Sequence, residues 1–261
     1  MSANQYVIFV SYYSKYFEES LNTLVSLSNR ISKDAIVVVV NNNPNSNLIE
    51  KNNDFDLLVG ENSAWEFSAW DQGIQYIEKK YKIKDSDVII FANDTFCQHR
   101  YFGTLDKMIF AKNLKKLYQK DNIVVGDVDS FGESFSILSK FGNKWISTYL
   151  FGMRYSTMKK CLPFSSLSYI ENEITIENGK IKGIDVSRSL LKHLESWLFP
   201  INDVGWYKSQ KADENLLKKK LMAILHEKYL SCKLIESNIT LVGVYSPFVI
   251  NLFRKLRIKL I

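Results

Sequence analysis

Two short runs constrain this chain most: residues 35–40 (AIVVVV) and 88–92 (VIIFA) are apolar at every position, and each stops abruptly at a polar turn. A half-buried strand alternates apolar and polar residues, whereas one that is apolar throughout is buried on both faces. That pattern marks parallel strands covered by helices. The first run opens into Asn41-Asn42-Asn43-Pro44 and the second into Asn93-Asp94-Thr95. Two buried strands with polar ends place one crevice along the carboxyl edge of a sheet, where α/β proteins seat nucleotides.

The rest of the chain extends the alternation. Residues 6–11 (YVIFVS) read as a first strand, followed by a helix with Phe17, Leu21, Leu24, Val25, Leu27 and Ile31 on a 3.6-residue stripe. Residues 57–60 make a short third strand. A helix carrying Trp70, Gly73, Ile74, Ile77 and Tyr81 leads to the fourth at 88–92, and a helix near 104–118 leads to a fifth at 123–127. The expectation is an α/β fold with a mostly parallel sheet flanked by helices. Beyond residue 128 the character changes. Residues 144–153 are aromatic and β-rich, Asn178-Gly179 is a hairpin signal, and residues 213–235 form a long helix. No Pro/Gly/Ser-rich linker interrupts the chain, so it reads as one domain over 1–261: a first half to 128, a more variable half to 247, and a tail at 248–261.

Composition narrows the class. With 261 residues, 46% of them apolar, the chain has ample material for a core. Its longest aliphatic run is far short of the roughly 18–20 residues that span a bilayer, and the first residues show no secretory pattern. Cys97, Cys161 and Cys232 are too far apart in sequence for a Cys-x-x-Cys zinc pair and suit a reducing cytosol. The net charge of +6 is concentrated at the end: no acid follows Glu236, while Arg254, Lys255, Arg257 and Lys259 alternate with apolar residues. Such a tail either lies on an anionic membrane surface or packs as a C-terminal helix. Elsewhere basic and acidic residues are mixed, which argues against nucleic acid.

Three groups of residues carry candidate chemistry. Asp94, between Asn93 and Thr95, offers one carboxylate to a metal–diphosphate or a ribose, or else caps the turn that follows. In residues 61–74 (ENSAWEFSAWDQGI), Ser68, Ala69 and Gly73 allow close approach, and Asn62 and Asp71 are polar enough to read a base or ribose; Trp65 and Trp70 fit packing better. His226-Glu227 lacks the second histidine of a zinc protease motif, because Leu230 stands there.

Taken in order, the strand ending in Asn-Asn-Asn-Pro, then Asn62 with Phe67-Ser68-Ala69-Trp70-Asp71-Gln72-Gly73-Ile74, then Ile89-Ile90-Phe91-Ala92-Asn93-Asp94-Thr95 resemble the GT-A nucleotide-sugar glycosyltransferases. The type is that of bacterial cell-surface polysaccharide enzymes, rhamnan synthesis protein F and family 2. Residues 227–235 (EKYLSCKLI) resemble a Glu-x-x-Leu-Ser-x-x-Leu helix late in such domains. The resemblance implies a sugar moved from a nucleotide-diphosphate donor to a lipid-linked or saccharide acceptor in O-antigen or capsule synthesis, at the inner face of the cytoplasmic membrane. Carried over residue by residue, Ser11 and Asn41 line the nucleoside pocket, Asn62 and Asp71 sit near base and ribose, and Asn93, Asp94 and Thr95 near the diphosphate. Asp94 would be the ligand of a Mg²⁺ or Mn²⁺ ion, although Thr95 replaces the family's second acid. For the base of an inverting transfer, Asp203 and Glu227 are candidates by position; Arg154 or His226 could steady the leaving group. Trp145, Tyr149, Trp197 and Trp206 could stack on acceptor sugars.

Two other readings compete. The incomplete acidic motif suits a non-catalytic, membrane-associated scaffold of the same fold. A sugar nucleotidyltransferase is less favoured, because no Gly-rich basic loop follows the first strand to hold a triphosphate.

Overall fold

Six of the seven strands in the central sheet run parallel, and the seventh, antiparallel, lies inside the sheet and not at its edge. This arrangement comes from a computed structural model, which describes residues 3–46, 55–201, 205–206 and 208–245. The elements are β1 (Gln5–Ser11), α1 (Ser14–Asn29), β2 (Ala35–Asn41), β3 (Asp56–Val59), α2 (Glu66–Lys80), β4 (Val88–Asn93), α3 (Thr104–Leu114), β5 (Ile123–Asp129), the hairpin β6 (Phe135–Ile137) and β7 (Lys140–Gly142), β8 (Trp145–Arg154), α4 (Tyr155–Met158), the hairpin β9 (Thr175–Glu177) and β10 (Lys180–Lys182), α5 (Arg188–Leu198), α6 (Glu214–Glu236) and β11 (Thr240–Gly243). The strand order is β11-β5-β8-β4-β1-β2-β3.

Side-chain alternation explains the layers. Val7 and Phe9 of β1, Val37 and Val39 of β2, and Ile90 and Ala92 of β4 pack against α1 and α3 on one face. Tyr6, Ile8 and Val10, with Val38, Val40, Ile89 and Phe91, pack against α2 and α6 on the other. Both faces are covered, so the central positions of these strands are apolar on both sides, and polar residues stand only at their ends. Gly73 lets α2 lie close on β1: a Cβ there would come within 2.6 Å of Ile8 Cγ2. A third cluster, with Phe135, Trp145, Leu190, Leu194 and Leu225, joins the β6–β7 hairpin, α5 and α6.

The expected strands form within two residues of their predicted ends. Asn178 (φ 50°) and Gly179 (φ 71°) make the turn of the β9–β10 hairpin, both in the left-handed region that Asn-Gly supplies. The long helix begins where Asp213 accepts the amide of Leu216 at 2.7 Å. The sequence does not reveal that residues 145–154 insert between β4 and β5. Nor does it reveal that residues 240–243 return as a parallel edge strand on β5. Among the described residues no helix is long and apolar enough to cross a membrane. The tail at 248–261 and the candidate base Asp203 lie outside the described residues.

Candidate functional site

The residues immediately after β1, β2 and β4 meet at one end of the sheet, where a cleft of about 920 Å³ opens. Tyr12, Tyr13, Asn42, Asn93, Asp94 and Thr95 line it on the strand side. Because β5 runs parallel to β4 across the inverted β8, Asp129, Ser130 and Phe131 reach the same edge. Trp145, Ser147, Thr148 and Tyr149, near the start of β8, also line the cleft. Opposite stands α6, whose Leu216, Lys220, Ala223, Ile224 and Glu227 follow the helical spacing of a single face.

Asp94 is the structural centre of the strand side. Its amide extends the ladder by donating to Val10 O at 2.9 Å. Its Oδ2 accepts the amides of Tyr12 and Tyr13, each at 2.6 Å, and its carbonyl accepts Ser20 Oγ at 2.7 Å. Tyr13 is the cap residue of α1 and has no side-chain cap of its own, so Asp94 caps that helix from across the sheet. Burial of the carboxyl, only 2% exposed, pushes its pKa up to about 6; the Tyr12 and Tyr13 amides work against that rise. Beside it, Asn93 Oδ1 accepts the hydroxyl of Thr95 at 2.8 Å and its amide at 3.3 Å, closing the turn.

The asparagine run after β2 ties three loops together. Asn43 Nδ2 donates to Tyr12 O at 2.8 Å, Asn42 Nδ2 to Trp65 O at 2.8 Å, and Asn41 Nδ2 to Ser46 O at 2.9 Å. Asn42 Oδ1 is buried without a hydrogen-bond partner. Trp65, with φ 51°, enters α2 through a backbone region that a bulky residue occupies only under strain, typically about 1–3 kcal/mol. Asn62 (φ 52°) precedes it on the cleft wall.

The expected nucleoside residues divide. Asn62, Asn93, Asp94 and Thr95 are brought together at the cleft. Ser11 and Asn41 do not line it; their neighbours Tyr12 and Asn42 do. The two pair in register at the strand ends and share the parity of Phe9 and Val39, whose side chains face α1. Asp71 is also placed elsewhere: its carboxylate accepts the amides of Phe164 (2.8 Å) and Ser165 (3.0 Å) and the Ser165 hydroxyl (2.6 Å). Five residues beyond the cleft-lining Glu66, Asp71 is rotated by about 140° around α2. Arg154 is also away from the cleft, pairing with Asp121 and with Leu117 O. His226 is buried in the core, stacked on Phe67 at 5.0 Å.

Glu227 does face the cleft. Its Oε2 accepts the amide and the hydroxyl of Thr148, at 2.8 and 2.9 Å, which fixes the carboxylate on β8. Cationic side chains surround this space. Arg100 lies 3.5 Å over the Tyr149 ring and 3.5 Å from Asp127, and Lys220 Nζ stands 5.6 and 6.0 Å from the stacked rings of Trp197 and Trp206. Lys208, Lys219 and Lys228 also line the cleft. Burial raises the pKa of Glu66; Lys220 opposes the rise, while Glu227 and Asp94 add to it. The pKa of His99 falls through burial and the charges of Lys208, Lys220, Arg100 and Lys15. Lys219, Lys220 and Arg100 have no motif that announces them; the docking of α6 brings the two lysines to the cleft, and the segment after β4 brings Arg100.

The Asn93-Asp94-Thr95 turn itself offers a cation one carboxylate, that of Asp94. Mg²⁺ is commonly held by one or two carboxylates together with waters and the substrate's own phosphates. Oδ2 of Asp94 holds two amides, Asn93 and Thr95 satisfy each other, and the other acids that line the cleft are Glu66, Asp129 and Glu227. Among the described residues no group of three or more His, Cys, Asp or Glu side chains could hold a metal.

No family model matches the chain, and no curated protein matches it in sequence. Among solved structures, the chain is similar to the crystal structure of 4-diphosphocytidyl-2C-methyl-D-erythritol synthase. The TM-score is 0.40 at 10% identity, over 62% of this chain and 80% of that one. The class of protein defined here is therefore that of the fold itself, an α/β protein with a mostly parallel, helix-covered sheet and a cleft at its carboxyl edge.

Proposed function

We propose that this protein is a glycosyltransferase that takes a sugar from a nucleotide-diphosphate donor and passes it to a lipid-linked or saccharide acceptor in surface polysaccharide synthesis. The observation that supports this reading best is the opposition, across one cleft, of a carboxyl strand edge bearing Asn62, Asn93, Asp94 and Thr95 to a helix wall bearing Lys219, Lys220 and Glu227. The strand edge suits a nucleoside and its ribose. The cations Lys220, Lys208 and Arg100 suit a diphosphate and the charge that it gains on leaving.

In this reading Glu227 is the base of an inverting transfer. Thr148 holds Oε2, and no group among the described residues donates to Oε1. Oε1 takes the proton of the acceptor hydroxyl as that oxygen bonds to the sugar's anomeric carbon, and the bond from that carbon to the diphosphate breaks with its electron pair on the leaving oxygen. Asp94 positions the Tyr12–Tyr13 turn under the donor. The basic tail at 248–261 brings the cleft to an anionic membrane surface on the cytoplasmic side.

The capping role of Asp94 favours a second reading, a non-catalytic scaffold of the same fold, because the motif carboxylate is occupied by backbone amides. Calorimetric titration with UDP-, GDP-, dTDP- and CMP-sugars separates the two. Saturable binding of one donor, followed by release of its nucleotide in the presence of acceptor, supports transfer. Absence of binding by all four overturns it.

A further inference from the structure

One residue beyond Glu227 the cleft holds a group that the transfer step does not use. Lys228 lines the cleft although only 2% exposed, and its Nζ sits 3.4 Å from the centroid of Trp145. Among the described residues it makes no hydrogen bond and no ion pair. A buried ammonium with only an aromatic face for company is a costly arrangement, since burial strips its water and a ring returns part of that loss. The charged and titratable groups around it are Asp129 on β5, Glu227 and Cys232 on α6, and His193 on α5. Neither carboxylate reaches it. His193 stacks on Phe131 at 5.0 Å and lies 6.1 Å from Trp145, so the ammonium stands among aromatic walls.

Its place along the cleft indicates which substrate it meets. Thr148 anchors Glu227, and Trp145 lies three residues earlier on β8, about 10 Å further from the β4 end at strand spacing. Glu227 thus divides the donor edge from Lys228.

We propose that Lys228 anchors a negatively charged group on the acceptor, a phosphate or a sugar carboxylate, while the acceptor's sugar ring lies against Trp145 and Phe131. This rests on the reading of the cleft as a sugar-transfer site. An aromatic face and a charge-assisted donor side by side match the two faces of an acidic or phosphorylated sugar.

The test titrates the full chain calorimetrically with glucose, glucuronate and glucose 6-phosphate, with and without saturating nucleotide. Wild type should bind one or both anions at least tenfold more tightly than glucose, and Lys228→Met should erase that preference without lowering the melting temperature. Preference for glucuronate alone identifies a carboxylate, and for glucose 6-phosphate alone a phosphate. Equal binding of all three by wild type, or an unchanged preference in Lys228→Met, overturns the proposal. Should the variant fail to fold, wild type decides. Burial draws the Lys228 pKa down to about 8, so the preference should weaken as pH rises through that range. Failure of every nucleotide to bind, with the anion preference intact, counts against the donor reading alone.

Discussion

The carboxylate of Asp94 and the backbone amide of Tyr13 are 81 positions apart in sequence and 2.6 Å apart in space. This bond, with its twin to Tyr12, makes the motif residue the helix cap of α1 and the pin between β4 and β1. Asp94→Ala removes the acceptor of the Tyr12 and Tyr13 amides and should cost about 1–2 kcal/mol of stability. Asp94→Asn keeps an accepting oxygen and should cost about 1 kcal/mol or less. Urea denaturation of both variants checks this. Equal losses would mean that the charge, not the acceptor geometry, holds the turn.

Glu227→Gln keeps an oxygen for the Thr148 amide but cannot take a proton. The expected outcome is a fall in kcat of about 10²–10⁴-fold with donor affinity unchanged. Single-turnover kinetics with the donor identified by titration measure it. Wild-type turnover in this variant would remove Glu227 from the chemistry.

Lys220 stands within 6.0 Å of the Trp65, Trp197 and Trp206 ring centroids, at the cleft's cationic wall. Lys220→Met should weaken nucleoside diphosphate binding about 10- to 100-fold, the scale of one hydrogen bond to a charged group. It should also flatten the salt dependence of that binding.

His226 gives the fold an acid-sensitive point. Burial is the main cause that pulls its pKa down to about 4, with Lys233 adding to the fall and the Phe164 backbone opposing it. The unfolded chain takes up this proton near pH 6.5, so the neutral ring's contribution is complete above that pH and is lost as pH falls toward 4. At about 1.4 kcal/mol per pH unit the loss reaches roughly 3 kcal/mol. Asp94 acts with the opposite sign. Its folded-state pKa is raised to about 6, so its protonation favours the fold as pH falls from 6 to 4. Chemical denaturation at several pH values should therefore show a shallow dependence in wild type. In Asp94→Asn the acid-side loss should be steeper, and in His226→Phe stability should rise toward pH 4.

Removal of residues 248–261 should abolish sedimentation with anionic vesicles at low salt and leave donor titration unchanged. A truncated chain that no longer melts cooperatively would place the tail in the core instead.

Much of the sheet was legible because double burial writes itself into the central positions of β1, β2 and β4. The site was legible only in part. Asn93-Asp94-Thr95 announced the strand edge, but whether a polar side chain at a strand end enters the cleft depends on parity, and parity puts Ser11 and Asn41 on the α1 side. Asp71 is separated from the cleft by the turn of a helix. The cations of α6 were hidden because Lys218, Lys219 and Lys220 read as an ordinary solvated run until β8 and α6 are packed together.

The inverted strand β8 has a consequence for the order in which this molecule is made. Until residues 145–154 emerge from the ribosome, β4 offers an uncovered edge of Val88, Ile89, Ile90 and Phe91, a template for pairing with another nascent chain. The cleft-lining Lys219, Lys220 and Glu227 of α6 come later still, and β11 then adds to the β5 side. Synthesis therefore passes through a long interval with a nearly complete sheet and no cleft. Recombinant yield should depend on holding that interval free of aggregation more than on the stability of the finished fold.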